Sequence, residues 1–127
     1  MPHSCGRYSV AKFLAGKSKH AVSLFERFSA LVHKCGPVQV APAKTRIGFQ
    51  VRMIFAAVNK VSDKGLEVHI VLTRRLQSPR FTRIETMTSK CFVHHFRVGS
   101  LKELDDEVSS WLEEAYQVGT QEHLSRG

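Results

Sequence analysis

The stretch KTRIGFQVRM, residues 44–53, alternates between polar and apolar side chains almost without a break. A β-strand has a side-chain period of two, so a strand over residues 45–53 would send alternate residues to opposite faces of a sheet. The apolar set would enter a core and consists of Ile47, Phe49, Val51 and Met53. The opposite set is polar apart from one glycine and consists of Lys44, Arg46, Gly48, Gln50 and Arg52. The stretch therefore predicts a sheet with one covered face and one exposed, basic face.

Helical patterns precede this strand. Residues 9–14 predict a short helix, and residues 19–34 predict a longer one. In the longer segment, apolar side chains recur at helical spacing, most clearly at Phe25, Phe28 and Val32. One side of this helix is therefore expected to face a core.

Several strands follow the first one. The pattern predicts them at residues 55–58, 66–72, 83–88 and 92–98. The polar residues 59–64 predict a hairpin loop, and Gly65 after them can adopt a positive φ angle. Short connections between successive strands favour an antiparallel meander.

A second strong helix signal closes the chain. Ser100 and Glu103 have the spacing of a capping box, and an apolar stripe follows them. Gly119 suits the C-terminal cap. We interpret the acidic side chains within residues 103–114 as serving helix capping and solubility. The alternative is that they bind a basic partner or a second copy of the chain.

These elements predict an α+β domain. An antiparallel four- to five-stranded sheet would carry the N-terminal and C-terminal helices packed on one face. The chain of 127 residues suits one domain. We expect that domain over residues 9–118, with flexible ends at residues 1–8 and 119–127.

The net charge of +8 is unevenly placed. Residues 1–99 hold 17 Lys and Arg against 4 Asp and Glu, whereas residues 100–127 hold 2 against 7. A body this basic attracts anions at long range. A solvated basic surface that only keeps the protein soluble is the alternative.

The sequence also bears on location. No apolar run approaches the roughly 20 residues of a membrane span, and the N-terminus has no apolar stretch of a secretory signal. The three cysteines Cys5, Cys35 and Cys91 are odd in number and widely spaced. We interpret them as reduced thiols in a cytoplasmic protein that does not contact a membrane.

The chain resembles a known family through several short motifs. They are FLAG at 13–16, LFERF at 24–28, GPV at 36–38, KTRIGF at 44–49, HHF at 94–96, DDEV at 105–108 and WLEEAY at 111–116. These motifs are similar to those of domain of unknown function 5655, a family of small, mostly bacterial domains. The resemblance covers residues 10–118 and implies a compact α+β domain. It implies no settled activity, so it supplies no catalytic residues.

The basic strand face is the leading candidate site. Its anion-binding candidates are Lys44, Arg46, Gln50 and Arg52, joined by His69, His95 and Arg97 if their strands pair. Arginine offers a planar fork that matches phosphate, and lysine offers a point charge. Nucleic acid is the leading anionic partner, although the chain has no established RNA- or DNA-binding motif.

A second basic group surrounds Pro79. It consists of Arg74, Arg75, Arg80 and Arg83. This group either extends the same surface or forms a solvated hairpin turn, and the second interpretation is favoured.

Two adjacent histidines stand out in the last strand. His94 and His95 point to opposite faces, so we expect His94 in the core and His95 on the basic side. A metal site through His69, Cys91 and His95 would need three neighbouring ligands, and surrounding cations disfavour it. Cys91 and His95 lie too far apart along one strand face for a thiol–imidazole pair. We therefore predict no metal, no cofactor and no catalytic residue.

Three functions remain open at this stage. A non-catalytic module that binds an anionic partner on its basic sheet face is favoured over an enzyme. A protein-interaction or homodimerisation domain, using the acidic helix and the basic sheet, is the first alternative. A small-ligand or metal-dependent enzyme around His69 and His95 is the second.

Overall fold

The computed structural model describes residues 9–120. Two helices come first, α1 (Val10–Leu14) and α2 (Lys19–Lys34). The strands are β1 (Gln39–Pro42), β2 (Ile47–Gln50), β3 (Ile54–Ser62), β4 (Gly65–Leu72), β5 (Phe81–Thr88) and β6 (Cys91–Val98). A 3-10 turn at Leu101–Glu103 leads into α3 (Asp106–Gly119). Our expectations for residues 1–8 and 121–127 lie outside the described residues, and Gly119 and Thr120 form the end of α3.

The six strands form one antiparallel sheet in the order β1-β2-β3-β4-β6-β5. The α+β class is confirmed, but the predicted count of four to five strands is too low. The missed strand is β1, which has only four residues and ends at Pro42, so it is too short to show a clear period. The predicted simple meander is also wrong, because β6 lies between β4 and β5.

β2 is shorter than the alternating stretch that predicts it. Ile47 and Phe49 are fully buried, as expected. The ladder with β3 shifts register after Phe49, and residues 51–53 form a bend. The bend is held by α3, because the backbone N–H groups of Arg52 and Met53 donate to the carbonyl oxygen of Gly119, over 2.9 and 3.2 Å.

β3 is longer than predicted. Residues 59–62 belong to the strand, and the turn is reduced to Asp63 and Lys64. The residues looked like a loop because they are mostly polar, but Lys60 pairs with Glu67 in the ladder. Gly65 has φ +131°, and a Cβ there would collide with the carbonyl oxygen of Val98, so the tight turn requires glycine.

Helices α2 and α3 cover one face of the sheet. Their buried side chains, among them Leu24, Phe28 and Leu112, join a single core with the sheet residues Ile70 and Phe96. Burial of this apolar stripe provides most of the stability of such helices. The opposite face carries His69 and His95, and we call it the open face; the C-terminal end of α3 reaches its border, where Val118 packs with Val71 and Cys91.

The start of α3 differs by one turn from the prediction. The capping box of Ser100 and Glu103 is present, and the Glu103 carboxylate accepts from the Ser100 N–H at 3.0 Å. It caps the 3-10 turn, however, and the α-helix begins after Asp105, whose carboxylate accepts from the Val108 N–H at 3.2 Å.

In the part of the chain that the structure describes, no helix is long and apolar enough to span a membrane.

Candidate anion-binding face

One row of directly paired residues crosses all six strands on the open face. In the ladder order the row consists of Ala41, Gly48, Ala57, His69, His95 and Arg83. Side chains paired in this way share one face of a sheet. The row has small residues on β1 to β3 and polar residues on β4, β6 and β5. The functional groups are therefore concentrated on one half of the open face.

His69 is a neutral donor in this row. The amide nitrogen of Asn59, at a bulge in β3, donates to His69 Nδ1 over 2.8 Å, which leaves the ring proton on Nε2. Burial lowers the pKa of His69 to about 4, and the charges of His95 and Arg46 act in the same direction against the weaker effect of Glu85. The imidazole is thus uncharged at neutral pH.

His95 is held by a carboxylate from the edge strand. Its Nε2 donates to Glu85 Oε1 over 2.6 Å, and its ring centre lies 5.4 Å from that of His69. Arg83 lies 3.5 Å from the same carboxylate. The hydrogen bond from His95 is the main reason that the pKa of Glu85 is lowered, so Glu85 is ionised at neutral pH. A carboxylate–imidazole pair is also an arrangement suited to proton transfer.

Further cations border the two histidines. Arg46 immediately precedes β2 and acts electrostatically on His69, and Arg97 lies two residues beyond His95 on β6. Within residues 9–120, neither guanidinium forms an ion pair. A cleft of about 300 Å³ lies on this half of the face and is lined by Asn59, Glu67, Val68, Thr82, Arg83, His95, Phe96 and Arg97. Unpaired arginines beside a cleft of this size are suited to hold an anionic group.

The structure does not bring all predicted anion-binding residues together. Lys44 lies in the turn between β1 and β2, where the Ala43 N–H donates to the Arg46 carbonyl over 2.9 Å. Gln50 lies at the opposite end of β2 from Arg46, paired with Gln39, and Arg52 lies in the bend against α3. Arg46, His69, His95 and Arg97 therefore form one group on the open face, with Lys44 in the turn before β2 and with Gln50 and Arg52 towards the other end of that strand.

The second basic group is dispersed in the fold. Arg74 forms a two-pronged ion pair with Glu114, at 2.9 and 3.0 Å, and Arg75 lies 5.5 Å above the ring of Phe92. Arg80 contacts the acidic start of α3, and Arg83 alone joins the open face. Arg74, Arg75 and Arg80 thus contact other parts of the fold and do not extend the candidate surface.

Asn59 and Glu85 were missed at the level of sequence, and Arg83 was assigned to this surface only in the less favoured interpretation of the second basic group. Asn59 was assigned to a loop because residues 59–64 are mostly polar, and the β-bulge that it occupies has no clear signal in one sequence. Glu85 was missed because its contact with His95 depends on the pairing register between β5 and β6, which one sequence does not reveal. The parity of His69 and His95 was the one signal that pointed to this place.

His94 has a structural role, as predicted. It is fully buried, its Nδ1 donates to the Phe92 carbonyl over 3.0 Å, and its Nε2 accepts from the Leu76 N–H over 3.0 Å. The imidazole therefore satisfies two backbone groups of the β4–β5 connection and of β6. Burial is the main reason that its pKa is lowered.

Cys91 does not converge with the histidines. It is fully buried with Val71 and Val118, four residues and about 13 Å along the strand from His95. Among residues 9–120, no group of three or more His, Cys, Asp or Glu side chains is arranged to hold a metal ion. The three side chains His69, Cys91 and His95, which the sequence left as a disfavoured metal site, therefore do not come together in the described part of the chain.

Comparisons with known proteins place the chain in a family. A comparison with curated proteins found no match, and neither did a comparison with solved structures. A family model described as a domain of unknown function, DUF5655, matches residues 10–119. The match spans every helix and strand of the structure, in agreement with the resemblance seen in the short motifs. The chain therefore belongs to the family of domain of unknown function 5655.

Proposed function

We propose that the chain is a non-catalytic binding module whose open face takes an anionic partner, with the phosphates of nucleic acid as the leading candidate. One observation carries the proposal. Arg46, Arg83 and Arg97 surround a pair of histidines on the face that lies opposite the helices. Guanidinium groups on such a surface match phosphate oxygens in both charge and shape.

The balance of charge on this half of the open face supports an anion. Its cations are Arg46, Lys60, Arg83 and Arg97, and its carboxylates are Glu67 and Glu85. Glu85 is shared between His95 and Arg83, so it cancels little of the charge on Arg46 or Arg97. The net charge of +8 adds long-range attraction for a polyanion.

The arrangement of aromatic side chains favours contact with phosphates over stacking on bases. Proteins that bind single strands through bases present exposed aromatic rings. Here Phe49, Phe55 and Phe96 are buried in the core, and the exposed large apolar residues among 9–120 are Met87 and Leu101. We therefore expect binding with little sequence preference and a strong dependence on salt.

We also propose a cytoplasmic location. Cys35 and Cys91 are free thiols, one at the end of α2 and the other buried in β6. Reduced thiols are typical of proteins in a reducing compartment. Cell fractionation, with the protein detected in each fraction by an antibody, would test this part of the proposal: the protein should be found in the cytoplasmic fraction.

The first test is a fluorescence-anisotropy titration with labelled single-stranded RNA, single-stranded DNA and duplex DNA at two salt concentrations. The wild type should bind at near-physiological salt, and Arg46→Glu should weaken binding by on the order of tenfold, because it replaces a phosphate contact with repulsion. The slope of affinity against salt should also become shallower in the variant.

A matched control separates the site from overall charge. Arg27→Glu makes the same change of charge on the exposed side of α2, on the opposite side of the molecule from the open face. It should lower affinity much less than Arg46→Glu. Equal losses in the two variants would attribute binding to net charge alone, and the absence of binding near physiological salt would reject nucleic acid as the partner.

A further inference from the structure

β5 forms one free edge of the sheet and differs from the other edge. Within residues 9–120, no strand lies beside its outer side. β5 has eight residues and no proline, whereas β1 at the opposite edge has four residues and ends at Pro42. A long edge strand without proline offers unpaired backbone donors and acceptors to another strand. Of the two edges, β5 is therefore the one able to accept a partner strand.

The charges on β5 are complementary to themselves. Arg83 and Glu85 flank Ile84 and lie on the open face, and both are largely exposed. If two copies pair antiparallel about a two-fold axis at Ile84, Arg83 of each copy lies opposite Glu85 of the other. Directly opposite charges stabilise an antiparallel pair, and like charges destabilise it.

The neighbouring registers lack this complementarity. A shift that centres the axis on residue 83 places two arginines opposite each other, and a shift that centres it on residue 85 does the same with two glutamates. Registers that pair residue 83 with residue 84, or residue 84 with residue 85, would place the open faces of the two copies on opposite sides of the sheet, because paired side chains share a face. Charge and parity therefore select the register centred on Ile84.

We infer that the chain forms a homodimer through antiparallel pairing of its two β5 strands about Ile84. The ladder with β6 shifts register near Thr82 and Met87, so regular pairing is confined to the centre of β5. Met87 lies just outside this centre and is 47% exposed in the single chain. The short paired segment implies a dimer that dissociates on dilution.

The dimer would join two open faces into one surface. Arg83 of each copy would approach the Glu85 carboxylate that holds His95 in the other copy, so each candidate site gains a cation from its partner. This inference does not require the proposed function, because it rests on the β5 edge alone. A dimer that binds no nucleic acid would leave the inference standing and reject only the proposal above.

Charge exchange within β5 tests the register. Sedimentation velocity of the full chain at low and high micromolar concentration should show a wild-type dimer at the high end. Arg83→Glu and Glu85→Arg should each raise the dimer dissociation constant by about tenfold or more, since each places like charges opposite each other. The double variant R83E/E85R restores opposite charges and should recover the dimer.

Two controls keep the test decisive. Far-UV circular dichroism reports whether each variant is folded, and Arg27→Glu on α2 makes a similar change of charge away from the edge. A wild type that stays monomeric at the highest concentration would overturn the inference. So would single variants that dimerise like the wild type, or a folded double variant that stays monomeric.

Discussion

At the scale of single residues, His69 shows how its surroundings determine its chemistry. The ring accepts from Asn59, lies 5.4 Å from the ring of His95 and is subject to the charge of Arg46. Each of these neighbours stabilises the neutral imidazole relative to the charged one. His69 therefore acts on the open face as a hydrogen-bond donor through Nε2 and adds no positive charge at neutral pH.

This environment predicts a pH dependence of stability. The pKa of His69 is about 4 in the folded chain and about 6.5 in an unfolded one, so the unfolded state takes up the proton first as the pH falls. The contribution of the neutral His69 to the free energy of unfolding is therefore complete above pH 6.5, and it is lost as the pH falls from 6.5 to 4. Over this range, the wild type should lose about 2 kcal/mol of unfolding free energy relative to His69→Gln.

Urea unfolding at pH 7, 5.5 and 4.5 would measure this difference. Lys60→Gln serves as the control, since it removes a charge from the same face without removing an imidazole. Its stability should follow that of the wild type across the range. Parallel curves for the wild type and His69→Gln would show that His69 is not held neutral by its surroundings.

Some of the site residues could be predicted from the sequence, and the reasons are local. Arg46, His69, His95 and Arg97 were predicted together because strand parity places them on one face. Gln50 and Arg52 lie apart from this group, at the end of β2 and in the bend that follows it, and the position of such a bend depends on what packs against it. Here the carbonyl of Gly119, more than 60 residues away, holds that bend.

At the scale of elements, α3 binds the β4–β5 connection through charge. Arg80 contacts Asp105 at 3.1 Å and Glu107 at 3.0 Å, donates to the Glu103 carbonyl, and lies 5.3 Å above the ring of Trp111. The acidic start of α3 was predicted to act in capping and solubility. Asp105 does cap the helix, and the same carboxylate also binds Arg80, a contact between distant segments that helix patterns do not reveal.

Two arginines of this connection should differ in their effect on stability. The Arg80 side chain is 23% exposed and has several partners, so Arg80→Ala should destabilise the fold by about 2 kcal/mol. The Arg74 side chain is 57% exposed and forms a surface ion pair with Glu114, so Arg74→Ala should have little effect. Thermal and urea unfolding of the two variants would measure the contrast.

The contrast itself decides between two accounts of the acidic helix. A loss confined to Arg80→Ala would show that α3 is anchored through its first turn. Equal stability of the two variants would show instead that the acidic side chains act mainly in solubility, as the sequence alone suggested.

At the scale of the whole molecule, strand order creates the site. In a simple meander, β5 would lie between β4 and β6 and would separate His69 from His95. In the observed order β6 lies beside β4, which pairs the two histidines directly and places Glu85 on the next strand. Helices on one face and an open opposite face could be predicted from periodicity, but the strand order could not, because it depends on long-range pairing.

The most direct test of the open-face site is a ¹⁵N–¹H NMR titration of the full chain with unlabelled single-stranded RNA at near-physiological salt. Bound phosphates should shift the backbone amide signals at Arg46, His69, His95 and Arg97 in a saturable way, and leave those on the exposed sides of α2 and α3 unchanged. Saturable shifts confined to the helices, or no shifts at all, would contradict the assignment of the open face as the binding surface.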